Sequence, residues 1–98
     1  MAVRHLVLFK FRPDTDPAAI QALADGLRAL PAQIPEVVDY HVGPDIGLAD
    51  SNWDFGVSAD FDGVDDFHTY RGHPAHVDVV DKLVEPITES RIAVQFDR

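Results

Sequence analysis

Residues 53–61 read Trp53-Asp54-Phe55-Gly56-Val57-Ser58-Ala59-Asp60-Phe61. Trp53, Phe55, Val57, Ala59 and Phe61 point one way, and Asp54, Gly56, Ser58 and Asp60 the other. Apolar residues at every second position mark a strand with one buried face. Asp62-Gly63 ends it. Upstream lies a polar loop from Gly43-Pro44-Asp45 to Ser51-Asn52, preceded by a strand over 36–42, Glu36-Val37-Val38-Asp39-Tyr40-His41-Val42. Before that strand, Ile20, Leu23, Ala24, Leu27 and Leu30 follow helical spacing. Asp16 suits the N-cap and Pro17 the first helical position, and Pro31 and Pro35 close the helix.

The chain opens on another strand, 2–12, where Val3, Val7, Phe9 and Phe11 alternate with Arg4, Lys10 and Arg12. Leu6 and Leu8 make its middle apolar on both sides, as in a strand covered on both faces. Downstream, Val64 to Arg71 predicts a short helix with Gly72 as a left-handed cap. Pro74 opens another helix, with His73 near its N-cap. His76, Val80, Leu83, Val84 and Ile87 fall on one face of it, and Pro86 ends or kinks it. A last strand spans 89–97, with Ile92, Val94 and Phe96 alternating.

The order is βαββαβ with the second helical segment in two pieces. That predicts an α+β, ferredoxin-like subunit with an antiparallel sheet and helices on one face. The opposite sheet face is expected to hold Leu6, Leu8, Val38, Tyr40, Val42 and Ala93, too apolar a surface to leave in water. A second copy covering it predicts a homodimer.

The sequence has 98 residues, 46% of them apolar, and the expectation is a single domain over 1–98. No apolar run reaches the ~20 residues that cross a bilayer. The start lacks a signal-peptide layout, and there are no cysteines, so the expected location is cytoplasmic. Thiolate metal sites and thiol nucleophiles are excluded. The net charge is −9, yet residues 1–12 carry +3, which leaves −12 on the rest. Three cations on one strand do not make the basic face that nucleic acid or an anionic membrane requires. The six glycines form no phosphate loop, so nucleotide cofactors lack support. Ser51, Ser58 and Ser90 lack a nucleophile elbow. Asp60-x-Asp62-x-x-Asp65-Asp66 reads as a solvated turn and helix start.

Two segments carry a resemblance. Met1-Ala2-Val3-Arg4-His5-Leu6-Val7-Leu8-Phe9-Lys10-Phe11, together with Tyr70-x-x-His73-Pro74-Ala75-His76-Val77, resembles the stress-responsive dimeric α/β-barrel domain family over nearly the whole chain. The resemblance implies a ferredoxin-like subunit whose sheets pair into a barrel in a homodimer. Within the family, the two segments look like those of plant polyketide cyclases of the olivetolic acid cyclase type. Those enzymes close a linear polyketide by an intramolecular aldol condensation without cofactor or metal. Their catalytic Tyr and His match Tyr70 and His76, and a pocket His on the first strand matches His5. A further pocket His falls on Phe55, so one polar group is missing. Aromatic pocket positions fall on Ala24 and Leu27, so the substrate must differ.

His76 shares a face with Val80, Leu83 and Val84 and should point inward. A neutral imidazole is a fitting base beside a carbonyl, and the Tyr70 phenol a fitting donor to the enolate oxygen. The plainer alternative makes His76 a buried histidine bonded to backbone, Tyr70 an aromatic filler, and His5 a structural tie. A pocket between sheet and helices would be lined by Val7, Leu27, Phe55, Val57, Val80, Leu83 and Ile87. Trp53 and Phe55 read as core. His73-x-x-His76 with Asp78 and Asp81 nearby raises metal binding. One histidine precedes the helix while the other points inward, so no metal site is expected. His41 and His68 should be exposed. Three functions remain open: a cofactor-free cyclase acting on an apolar ketone, a non-catalytic stress-response or ligand-binding module, and a cofactor-free monooxygenase of related fold.

Overall fold

The computed structural model describes residues 1–98. Its elements are β1 (Val3–Phe11), α1 (Pro17–Arg28), β2 (Asp39–Pro44), β3 (Phe55–Phe61), α2 (Val64–Gly72), α3 (Pro74–Val79) and β4 (Thr88–Asp97). A short 3-10 turn, Leu30–Ala32, follows α1, and a π-helical turn, Val80–Val84, continues α3. The four strands form one sheet in the order β2-β3-β1-β4, every pair antiparallel. This is the expected α+β ferredoxin-like architecture.

Register decides which residues meet. Tyr40, Ala59, His5 and Gln95 lie in one row across the sheet, and Val42, Val57, Val7 and Ala93 in another. Residues directly opposite one another point to the same face, and both rows face the helices. The rows between them, His41-Ser58-Leu6-Val94 and Gly43-Gly56-Leu8-Ile92, face away. Tyr40, Val42 and Ala93 therefore sit on the face opposite to the one their sequence suggested. A one-residue change of parity moves every side chain of a strand across the sheet, and β2 begins at Asp39 rather than at residue 36. Val38 precedes the strand and is exposed. The outward face is apolar nonetheless, through Leu8, Ile92, Val94 and Phe96, which are 45–57% exposed.

The helices dock on the inner face. Asp16 caps α1, its carboxylate accepting the Ala18 N–H at 2.9 Å, and Pro17 opens the helix. Leu23, Ala24 and Leu27 are buried against Phe55, Val57, Ala59 and Phe61 in one core. Each large apolar side chain buried there is worth roughly 1.5–3 kcal/mol. Gly26 lets α1 approach the π turn closely, since a Cβ there would lie 2.5 Å from Leu83 Cδ1. Trp53 lies just outside β3 and is half-buried. The Asp54 carboxylate accepts the Phe11 N–H at 2.8 Å, tying the ends of β1 and β3.

Two local expectations are corrected. Gly72 is the last residue of α2 and is not left-handed; His73 ends the helix in an extended conformation, φ −63° and ψ 135°. Pro74 is the reason, because a residue before proline is pushed out of the helical region. His73 then caps α3, its Nδ1 accepting the Ala75 N–H at 3.0 Å. Asp60 is not solvated. It is 3% exposed and grips Arg4 through two hydrogen bonds of 2.8 and 3.0 Å, with Arg98 at 3.5 Å. These guanidiniums hold the Asp60 carboxyl below its usual range.

Candidate functional site

The helices cover β2 and β3 but leave the inner face of β4 open. A cavity of about 580 Å³ forms there, between β1 and β4 on one side and α2, α3 and the π turn on the other. Its apolar walls are Val7, Phe9, Leu27, Val57, Val80 and Val84. Its polar groups are His5, Tyr70, His76 and Gln95, with Arg71, Asp81 and Arg91 among the charged ones.

Tyr70 comes from the end of α2, and its ring packs on Phe61 with centroids 5.1 Å apart. Its hydroxyl lies 2.8 Å from that of Tyr40. Burial raises both phenols, Tyr70 to about 12, while the Tyr40 contact eases the ionisation of Tyr70 and hinders that of Tyr40. Either hydroxyl can donate in this pair. Tyr70 is among the residues that line the cavity, and where Tyr40 donates, the Tyr70 hydrogen is free for another acceptor.

His76, on α3, is half-buried, with its ring centroid 4.4 Å from that of Tyr70. Its Nδ1 lies 3.1 Å from the Arg71 carbonyl oxygen. A carbonyl only accepts, so Nδ1 carries the hydrogen and Nε2 keeps its lone pair. Burial, with Arg91, Arg71 and His73, pushes the His76 pKa down, against the Arg71 carbonyl, which raises it.

His5 packs on Phe67 at 5.0 Å and faces Tyr70 at 6.3 Å. Its Nδ1 lies 2.8 Å from the Gln95 amide nitrogen, its neighbour in the same sheet row. Burial first, then the charges on His76 and Arg71, bring its pKa down to about 4. Both imidazoles are therefore neutral at physiological pH.

The structure brings His5, Tyr70 and His76 to one cavity, with Val7, Leu27, Val57 and Val80 in its wall. Phe55, Leu83 and Ile87 do not line it. Phe55 is 2% exposed and stacks with Phe9 and Phe11 in the core. Leu83 turns toward Gly26 of α1, and Ile87 packs against the core beyond the π turn. The π turn is the reason: its extra residue rotates the face that a regular helix would carry from His76 through Ile87. Sequence reasoning missed Tyr40, Gln95, Arg71 and Arg91, and named Asp81 only as an acid near His76. Strand register signals the first two, since Tyr40 and Gln95 share a row with His5. His41 and His68 are exposed. No three His, Asp or Glu side chains converge as a metal site, and no helix is long and apolar enough to cross a membrane.

Residues 3–98 match the family model described as the stress responsive A/B barrel domain. A stress-response A/B barrel domain-containing protein of Arabidopsis thaliana is 28% identical over 95 residues, covering 96% of this chain and 36% of that protein. The chain thus spans about a third of the length of that relative. A dimeric ferredoxin-like protein of unknown function from Thermobifida fusca is 40% identical, with a TM-score of 0.93 over 100% of this chain and 92% of that one. A dimeric protein of ferredoxin-like fold from Bacteroides fragilis is 30% identical, with a TM-score of 0.89 over 99% of this chain and 96% of that one.

Proposed function

The chain belongs to the stress responsive A/B barrel domain family, and on that premise we propose that it is one subunit of a homodimeric α/β barrel that binds an apolar, ketone-bearing small molecule. In this reading the cavity carries out a cofactor-free, cyclase-like aldol closure. The homodimer is supported by the exposed outward sheet face and by the dimeric relatives. The small-molecule reading is supported by a mostly apolar cavity with a few convergent polar groups, about 580 Å³ in volume, which is within the usual range for ligand sites.

One observation carries the chemistry: Nδ1 of His76 is held by the Arg71 carbonyl, which leaves Nε2 as a base beside Tyr70. Nε2 takes a proton from the carbon next to a ketone. The Tyr70 O–H donates to the enolate oxygen as charge develops there. The enolate carbon attacks a second carbonyl of the same molecule, and the oxygen of that carbonyl becomes an alkoxide that takes the proton back from the His76 imidazolium. The new hydroxyl leaves as water with a neighbouring ring hydrogen, and tautomerisation makes the ring aromatic. His5, neutral and fixed by Gln95, orients a ligand oxygen.

Incubation with a phenyl-capped linear triketone tests this, because its closure with loss of one water gives a resorcinol that absorbs in the ultraviolet. The wild type should accelerate closure and His76→Ala should not. Equal rates in both would remove His76 from the mechanism. A second reading, a non-catalytic ligand-binding module, is favoured by the 2% exposure of Tyr70 and its existing Tyr40 partner. Tight binding of apolar ketones with no closure in the same assay would select it.

A further inference from the structure

The cavity rim carries charge of the opposite sign to the protein as a whole. The chain has a net charge of −9, yet the charged side chains at the cavity are Arg71, Arg91 and a single acid, Asp81. Arg91 is paired with Glu85, Nη2 to Oε1 at 3.1 Å, with both side chains about half exposed. Arg71 is in none of the ion pairs of the structure. Its backbone is pinned from within, since its carbonyl holds His76. The cations also act into the cavity: Arg71 disfavours protonation of both His5 and His76, and Arg91 that of His76. Val7, Leu27, Val57 and Val80 line the same cavity with apolar surface. The lining is therefore amphipathic, joining apolar side chains to two guanidiniums.

We propose that the cavity selects an apolar molecule bearing a single anionic head, a carboxylate or related oxyanion, with the head at Arg71 and Arg91 and the apolar body on the valine and leucine floor. This rests on the small-molecule reading of the cavity. A guanidinium presents a planar fork of N–H donors that suits a carboxylate better than a ketone. The net negative charge disfavours anions over the surface as a whole, and the rim is a local exception to it. Arg71, lacking an ion pair, contributes more than Arg91, which must share its guanidinium with Glu85.

Two fluorescent probes with the same aromatic skeleton test it: anilinonaphthalene sulfonate, an anion, and phenylnaphthylamine, its neutral counterpart. Titrations of wild type, Arg71→Gln, Arg91→Gln and the double variant are compared, with Val80→Trp, which fills the cavity, locating the probe. The double variant should weaken the sulfonate by roughly fivefold or more, while the neutral probe changes less than about twofold. Arg71→Gln alone should account for most of the loss. Parallel changes in both probes, or no change in the sulfonate, overturn the proposal and leave the cavity reading standing. If neither probe binds the wild type, or Val80→Trp binds both unchanged, the cavity reading itself falls and the proposal with it. Both arginines are exposed, so the variants should fold, and unchanged binding of the neutral probe is the internal check.

Discussion

The His76 imidazole lies over the Tyr70 ring, centroids 4.4 Å apart and planes tilted by 47°, while its Nδ1 reaches 3.1 Å to the Arg71 carbonyl. The two residues come from consecutive helices whose junction is fixed by His73-Pro74. Replacing Pro74 by Ala should relax that junction, since the bar on helical His73 disappears. The expected outcome is lower ring-closing activity and a loss of about 1 kcal/mol in a denaturant melt. Unchanged activity would show that the proline does not set the pair.

The Tyr40–Tyr70 hydroxyl pair, 2.8 Å apart, joins an edge strand to the helix layer. Tyr40→Phe should cost about 1 kcal/mol, the net value of a hydrogen bond that leaves a buried partner. Tyr40→Phe/Tyr70→Phe should cost less than the two single changes combined, because both remove the same bond. Strictly additive losses in urea melts would mean that the hydroxyls contribute separately.

The depressed His5 pKa makes stability depend on pH with a definite sign. In the unfolded chain His5 titrates near 6.5, in the folded protein near 4. The stabilisation is fully present above the unfolded value and is lost as pH falls from about 6.5 to 4, because the unfolded state takes the proton first. His76 acts in the same direction. Solvent screening at a half-exposed site leaves a loss on the order of 1 kcal/mol for His5. His5→Phe should flatten this slope, which separates it from the general effect of neutralising acids. Melts of both proteins at stepped pH check it, and parallel slopes would refute the assignment.

Assembly through the outward sheet face predicts that charge placed at its centre separates the subunits. Val94→Asp or Ile92→Lys should convert a dimer into a monomer in light scattering at micromolar concentration. Lys82→Glu, on the opposite side of the molecule at the exposed Lys82–Asp78 pair, should not. A wild type that is monomeric at that concentration contradicts the dimer.

The architecture was legible because its signals are local. Strict alternation from Phe55 to Phe61, the Asp16-Pro17 cap and the spacing of Leu23, Ala24 and Leu27 each specify an element by themselves. The convergence of His5, Tyr70 and His76 was visible only through family resemblance joined to the inward face of α3. What escaped depends on longer-range geometry. Tyr40 and Ala93 have neighbours of both kinds, so their sequence does not fix which face they take, and pairing with Ala59 and Val7 does. Asp60 looks like one more acid in an acidic run until β1 brings Arg4 beside it. The π turn that turns Leu83 and Ile87 away from the cavity has no signature in the spacing of the apolar residues.

The most direct test of the central claim is the exchange of the α-protons of benzylacetone, a simple apolar ketone, followed by proton NMR in heavy water. It isolates proton abstraction from ring closure and needs no knowledge of the natural substrate. The account predicts that the wild type accelerates exchange above the buffer rate and that His76→Ala, with its fold intact, does not. A ketone that binds the wild type and exchanges no faster than in buffer, or one that exchanges equally fast with His76→Ala, would contradict a base at this position.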